Sequence, residues 1–264
     1  MEPLVTVGLP IYNAEAYLAE CIESIKAQTL KEFTVLAVLD CPIDRSAEIL
    51  RKHSDSRFQI IENSKNLGLA ATCNLMLELC QTDLLARMDA DDIMYPDRLK
   101  KQYDFMQAHP EIDVLGTYSI EIDQNANYLR GPYPHSTTPD EIRAEFRIQC
   151  VFQHPTVMLR VARIVALGGY PDSRVAEDLI LWLHGLEQNY QYAILPETLL
   201  KYRVHAAGLM NRKREETYQA NDAAYAKYGH SIWGADAPDF VAGVTRWERL
   251  QRRMRRNFKR LFSK

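Results

Sequence analysis

The sequence predicts an α/β fold whose first half is doubly wound with mainly parallel strands. Three observations carry this: short apolar, β-rich segments alternate four times with segments of helical periodicity, the connectors are short, and acidic residues follow two of the strands, at Asp40 and at Asp89. In such sheets ligands bind outside the carboxyl ends of the strands, so those acids are expected to share one cleft.

Taken in order, residues 4–10 (LVTVGLP) form a short apolar run closed by Gly8 and Pro10, which suits a buried parallel strand. Residues 14–28 carry Tyr17, Leu18, Cys21, Ile22 and Ile25 at helical spacing, with Asn13 as the expected N-cap. Residues 33–39 (FTVLAVL) are a second buried strand, and Asp44 opens a helical pattern through Ala47, Ile49 and Leu50. Residues 58–61 are a third strand, followed by the turn Asn66-Leu67-Gly68 and a helix over 69–79. Residues 83–88 are the fourth strand, running into Asp89-Ala90-Asp91-Asp92 and then a helix over 96–108.

Beyond that point the pattern changes. Residues 112–122 read as one or two strands, 132–139 as a loop with three prolines, and 140–148 as a short helix. Residues 152–165 run from strand into helix, Gly168-Gly169-Tyr170 is a turn, and Glu177 and Asp178 precede an amphipathic helix over 179–188. Residues 193–204 return as extended chain. Residues 1–205 are read as one compact domain, with halves 1–108 and 109–205, and 206–264 as a helical extension.

At 264 residues, with 47% apolar and 25% charged residues and a net charge of -3, the composition is ordinarily globular and offers no whole-molecule case for nucleic-acid binding. Residues 245–264 stand apart: nine basic side chains against Glu248 give a net +8, so the rest of the chain sums to -11. The five scattered cysteines form no CxxC pair and read as reduced thiols of a cytoplasmic protein. No signal peptide or membrane-length apolar run occurs, which points to a soluble or peripheral protein.

The acidic stretch is the chemical centre of the chain. Three carboxylates within four residues repel strongly, by roughly 4 kcal/mol per pair at about 4 Å and an effective dielectric near 20, unless a cation joins them. Carboxylate oxygens are hard ligands suited to Mg²⁺ or Mn²⁺. The bland alternative is a solvated acidic loop with Asp92 capping the next helix. No GxGxxG follows the first strand and no GxxxxGK[ST] occurs, which removes most support for nicotinamide and P-loop chemistry.

Five motifs in order then resemble the family 2 glycosyltransferases of the GT-A fold, from about residue 5 to about 205: VGLPIYNAEAYLAECIESIKAQT, NLGLAATCN, DADDIMYPDRL, GGY followed by AED and LW, and Tyr202-Arg203-Val204-His205. The resemblance implies a GT-A fold: a single Rossmann-like domain with a mixed, mainly parallel central sheet and here a C-terminal helical extension. It implies an inverting, metal-dependent hexosyl- or N-acetylhexosaminyltransferase using a UDP-linked donor, with a glycan or lipid-linked saccharide as acceptor, in cell-surface polysaccharide synthesis. Its donor side would comprise Pro10, Tyr12, Asp40, Asn66, Gly68, Asp89, Ala90 and Arg203. Mn²⁺ or Mg²⁺ would be held by Asp91 and His205. Asp92 would be an outer partner or a helix cap, and Arg203 would meet phosphate or brace a carboxylate. Asp178 would be the general base, and His154, Glu177 and Trp182 would stand on the acceptor side. The segment Asp40-Cys41-Pro42-Ile43-Asp44 departs from the family's acidic, Gly- and Ser-bearing turn, and His184 stands where the family often has Arg. Asp40 as a plain turn residue and Asp178 as an N-cap are the structural alternatives at those positions.

In residues 245–264, Trp247, Leu250, Met254, Phe258, Leu261 and Phe262 recur at steps near three or four among the basic residues. That is the composition of an interfacial helix on an anionic membrane, at the cytoplasmic face, or of a helix packed on its own domain or a second subunit. The alternatives to an enzyme are a nucleotide-sugar-binding protein without turnover and a nucleotidyltransferase. Intact Asp89, Asp91 and Asp178 speak against the first, and the absence of a Gly-rich basic loop at residues 9–13 against the second.

Overall fold

The computed structural model describes residues 2–132, 134–205 and 213–237, so the basic segment 245–264 and its proposed interfacial helix lie outside the described residues. One mixed sheet runs in the order β3-β2-β1-β4-β8-β6-β9-β5, with β7 hydrogen-bonded to β6. Strands β1 (Val5–Ile11), β2 (Phe33–Leu39), β3 (Phe58–Glu62) and β4 (Leu84–Arg87) are mutually parallel. Strand β8 (Met158–Arg160) is antiparallel to both β4 and β6 (Val114–Ile122). Strand β9 (Tyr192–Arg203) is parallel to β6 and antiparallel to the two-residue β5 (Ile93–Met94). Strand β7 (Tyr128–Arg130) forms an exposed hairpin with β6.

The period-2 alternation of the strands divides the core into two layers. On one face Val5, Val7, Leu9, Ile11, Val35, Ala37, Leu39, Leu84 and Ala86 meet α1 (Leu18–Lys26), α2 (Ser46–His53) and α4 (Arg98–Ala108). On the other, Leu36, Val38, Leu85, Val114 and Leu159 meet α3 (Leu69–Leu79), α5 (Pro139–Phe146), α6 (Val161–Ala166) and α7 (Glu177–Glu187). A last described helix, α8 (Arg214–Trp233), adds Ala224, Tyr225, Tyr228 and Ile232 to this second layer. Gly8 admits α3 close to the sheet, since a Cβ there would stand 3.1 Å from Leu85 and 3.2 Å from Met76.

Several local expectations are corrected. Helix α1 begins at Leu18, four residues later than its periodicity implied, and Asn13 is not its cap; Asn13 holds φ 50° and its Oδ1 accepts the Ile43 amide at 2.9 Å. Asp92 caps no helix, because β5 intervenes and Asp97 stands at the N-cap of α4. Glu177 and Asp178 lie within the first turn of α7, and the N-cap is Ala176, a left-handed residue with φ 57°.

Candidate active site

Strand β1 and its neighbours open the cleft. Met88 donates to the Gly8 carbonyl at 3.0 Å, the last rung beyond the β1–β4 ladder. By alternation the next inward-facing position on that side is Pro10, which has no N–H to donate. The two strands can part there, while on the other side Asp40 still donates to Ile11 at 2.9 Å.

The sequence-predicted donor side divides into two groups. Asp40, at the end of β2, is buried and its carboxylate is turned into the following loop: Oδ1 accepts from Asn63 Nδ2 and the Leu67 amide, both at 2.8 Å, and Oδ2 accepts from the Gly68 amide at 2.9 Å. Asn66 Nδ2 donates to the Asp40 carbonyl at 3.2 Å, and Gly68 takes φ 86°. The structure therefore ties Asp40, Asn66 and Gly68 into one unit in which Asp40 organises the loop. Tyr12, Ile43 and Leu67 are the large apolar side chains exposed at this rim, Ile43 at 86%.

The second group surrounds the acidic turn. Asp89 pairs with Arg87, Oδ2 to Nη1 at 2.5 Å. The Asp92 amide donates to the Asp89 carbonyl at 3.4 Å, and Cys21 of α1 donates its thiol to the same carbonyl. Pairing of β5 with β9 then brings the end of β9 alongside. The Arg203 amide donates to Asp92 Oδ1 at 2.7 Å, and His205 Nε2 lies 2.8 Å from Asp91 Oδ2. Asp91 and His205, 114 residues apart, are thus in contact.

Arg203 resolves to the brace and not to the phosphate contact. Its side chain is 1% exposed and spent inside the protein: Nε on the Asp91 carbonyl at 2.7 Å, Nη1 on the carbonyls of Asp123 and Gln124, and Nη2 on Glu20 at 2.6 Å. Its guanidinium also covers the Tyr17 ring at 4.6 Å, and the edge of that ring meets His205. Ala90 places its methyl in the core, leaving only its backbone to face a ligand.

Ligand oxygens of Asp89, Asp91 and Asp92 lie within 4.8 Å of one another. Asp92 is buried, its Oδ2 has no hydrogen-bond partner, and burial followed by the charges of Asp91 and Asp89 pushes its carboxyl well above the ordinary range. An orphaned carboxylate oxygen beside two further carboxylates is a hard-oxygen set that fits a divalent cation such as Mn²⁺ or Mg²⁺. Asp92 is thereby a ligand candidate, beyond the outer partner that the resemblance implies.

In the first turn of α7, Asp178 accepts the Leu179 amide at Oδ1, 2.7 Å, and burial raises its pKa above the usual carboxylate value. Glu177 beside it is 5% exposed and pushed up to about 7, first by burial and then by Asp178. His154 is buried, with Nε2 2.8 Å from the Tyr170 hydroxyl and Nδ1 4.0 Å from Glu177; burial and the Arg87 charge hold it neutral. Tyr170 is fixed in turn by a reciprocal backbone pair with the Asn74 side chain, at 2.7 and 2.9 Å. Of the acceptor-side candidates, Trp182 is overturned: it is 0% exposed, packed edge-on against Phe152, His154 and Tyr192. His154 and Glu177 form a buried layer behind Asp178, not a surface. Arg87 and Tyr17 were missed, because neither belongs to a spacing that announces chemistry.

Comparison with known proteins matches residues 6–164 to the model of glycosyl transferase family 2. An uncharacterized glycosyltransferase of Methanocaldococcus jannaschii is 35% identical over 208 residues, 77% of this chain and 71% of the relative. The amylovoran biosynthesis glycosyltransferase AmsE of Erwinia amylovora is 31% identical over 217 residues, 81% of this chain and 80% of the relative. Among solved structures, residues 1–349 of S. aureus TarS in complex with UDP-GlcNAc align with TM-score 0.69 at 19% identity, over 88% of this chain and 70% of that one. The mannosyltransferase PcManGT of Pyrobaculum calidifontis, in complex with GDP-Man and Mn²⁺, aligns with TM-score 0.65 at 18% identity, over 86% of this chain and 64% of that one. At such identities these structures establish the fold alone, which is GT-A.

Proposed function

The chain belongs to glycosyl transferase family 2, and from that premise we propose that it is an inverting, metal-dependent transferase moving a hexosyl or N-acetylhexosaminyl group from a UDP-sugar to a hydroxyl of a glycan or lipid-linked saccharide. The observation that carries the reading is the acidic turn itself. Asp89, Asp91 and Asp92 gather their oxygens within 4.8 Å, beside His205 and at the carboxyl end of β4, where a nucleotide-sugar enters a doubly wound sheet. The bound complexes of TarS and PcManGT, one with UDP-GlcNAc and one with GDP-Man and Mn²⁺, support a nucleotide-sugar and a divalent ion there.

Asp91, Asp92 and His205 would hold the ion, whose chemistry is Lewis-acid stabilisation of the departing diphosphate. Asp89, fixed by Arg87, contacts the donor. Tyr12 and the loop organised by Asp40 line the base end, with Asn66 and Gly68 at its edge. Asp178 accepts the proton of the acceptor hydroxyl as that oxygen bonds to the anomeric carbon. The bond from that carbon to the diphosphate oxygen breaks on the opposite face, and its electron pair leaves with the diphosphate. Burial makes Asp178 a stronger base than an ordinary surface carboxylate.

No helix among the described residues is long and apolar enough to cross a membrane. A peripheral position at the cytoplasmic face, through the basic residues 245–264, would suit a lipid-linked acceptor. The test is a panel of UDP- and GDP-sugars with and without MnCl₂, read by thermal shift and by release of nucleoside diphosphate. Mn²⁺-dependent release from a UDP-sugar is expected. Binding without any release would mark a non-catalytic binder, and release of pyrophosphate from a nucleoside triphosphate would mark a nucleotidyltransferase.

A further inference from the structure

Arg87 is a charged residue at the end of a buried strand, with no role in the transfer beyond its contact with Asp89. Alternation along β4 sends Leu84 and Ala86 to the α1 face and Leu85 to the α7 face, so Arg87 follows Leu85 toward α7. Its side chain is 1% exposed, and Nη1 stands 2.5 Å from Asp89 Oδ2. Nε has no hydrogen-bond partner, while Nη1 meets Asp89 at 2.5 Å. A buried guanidinium with unspent donors is expensive to keep, which calls for compensation from more than one carboxylate.

That compensation is present. Besides Asp89, the charge of Arg87 acts on Glu177 and Asp178 in the first turn of α7, and on His154 and Tyr170 behind them. His154 links Tyr170, at 2.8 Å, to Glu177, at 4.0 Å, so Tyr170, His154 and Glu177 form one contiguous buried cluster on the side toward which Arg87 points. The backbone of Arg87 is pinned on both sides: its amide donates to Val157 at 2.9 Å, and its carbonyl accepts Arg98 Nη2 at 2.8 Å. Arg98 is itself fully buried and held by Gln102 at 3.0 Å. The reach of the Arg87 side chain is therefore set by a rigid strand end.

We propose that Arg87 is a positioning residue for the transfer: it fixes the orientation of Asp89 on the donor side and is a counter-charge shared by Asp89, Glu177 and Asp178, so that donor contact and general base act as one electrostatic unit. The inference rests on the transferase reading above and deepens it. An arginine keeps its charge at any working pH, so the shared cation persists whether or not donor and metal are bound. Its signature is coupling: once Arg87 is gone, further loss of Asp89 or Asp178 costs less than it does in the wild type.

The experiment is a pair of double-mutant cycles, Arg87→Met with Asp89→Asn and Arg87→Met with Asp178→Asn. The readouts are UDP binding with MnCl₂ by calorimetry and kcat and KM for UDP release from a UDP-sugar. Arg87→Met is expected to lower kcat by about 100-fold, the scale of a mis-set base, and to weaken UDP binding. Each double variant should fall short of the product of its single losses by at least about fivefold. Losses that multiply in both cycles, or a kcat for Arg87→Met within about threefold of wild type, overturn the proposal. Should Arg87→Met show no cooperative thermal transition, Arg87→Gln, which also removes the charge but leaves donors in the buried site, takes its place in both cycles under the same criterion. A wild-type protein that neither binds UDP nor releases a nucleoside diphosphate sinks the transferase reading and this inference with it. Turnover by the wild type with multiplying losses sinks this inference alone.

Discussion

Replacing Glu177 by Gln tests the electrostatics of the buried layer behind Asp178. Glu177 is 5% exposed and its carboxyl is pushed up to about 7 from 4.5 by burial and then by Asp178, with Arg87 opposing and Asp89 adding. A carboxyl that binds its proton more tightly in the fold than in the unfolded chain stabilises the fold fully below its unfolded pKa, and the contribution is lost as pH rises through the folded value. For Glu177 the window therefore runs from about 4.5 to about 7. At about 1.4 kcal/mol per pKa unit, the loss by pH 8 is at most about 3 kcal/mol, because the ionisation is shared with Asp178. Glutamine fills the same space and does not titrate. Near pH 4.5 the variant should match the wild type in thermal stability, and its advantage should grow to roughly 6–10 °C near pH 8 on the usual scale for a chain of this size. Thermal unfolding followed by circular dichroism across that range is the assay. An offset of equal size at both ends of the range would show that Glu177 does not carry a raised pKa, and the reasoning would fail.

The other predictions concern the site and its surroundings. Asp178→Asn should cut transfer at least about 100-fold while donor binding persists; equal loss of both would mean that Asp178 is misassigned. Asp91→Asn should remove the rise of donor affinity with Mn²⁺, which calorimetry with and without the ion would reveal. Gly169→Ala should destabilise the fold by about 1–3 kcal/mol, measured by denaturant titration, because Gly169 holds φ 73° and a Cβ would stand 2.5 Å from Asn74 Oδ1, the group that fixes Tyr170. Deleting residues 245–264 should abolish sedimentation with anionic vesicles at moderate salt, and unchanged sedimentation would refute an interfacial role for that segment.

Much of this molecule is legible in its sequence because local rules and tertiary context agree along the first half. The runs at 33–39 and 83–88 are apolar on both faces, as strands covered by helices on both sides must be, and their ends deliver Asp40 and Asp89 to the same edge. Side-chain direction was not legible. Arg203 sits in the expected motif, yet turns inward to Glu20 and the carbonyls of residues 91, 123 and 124, because the twelve-residue β9 lies between β6 and β5 and leaves that side chain no open space. Trp182 lies on the apolar stripe of α7, where core and cleft give the same periodic signal; packing against Phe152 and Tyr192 decides for the core. Arg87 carries no signal of its own in the run 83–88; its burial, at 1% exposed, comes from the tertiary fold.

The pairing of β5 with β9 has a consequence for folding and for engineering. The bonds that complete the acidic turn, Arg203 to Asp92 and His205 to Asp91, span 111 and 114 residues of chain, so the site has very high contact order. Closing such a loop comes after local helix and hairpin formation, and the contacts of the acidic turn with Arg203 and His205 should therefore form late in refolding, after most helical signal has returned. For the same reason, grafting the nucleotide-binding half of another transferase onto this scaffold at residue 108 would sever the acidic turn from its partners. A chimera that keeps these contacts must take the segment through residue 205 from the same parent as the strand that ends in Asp89.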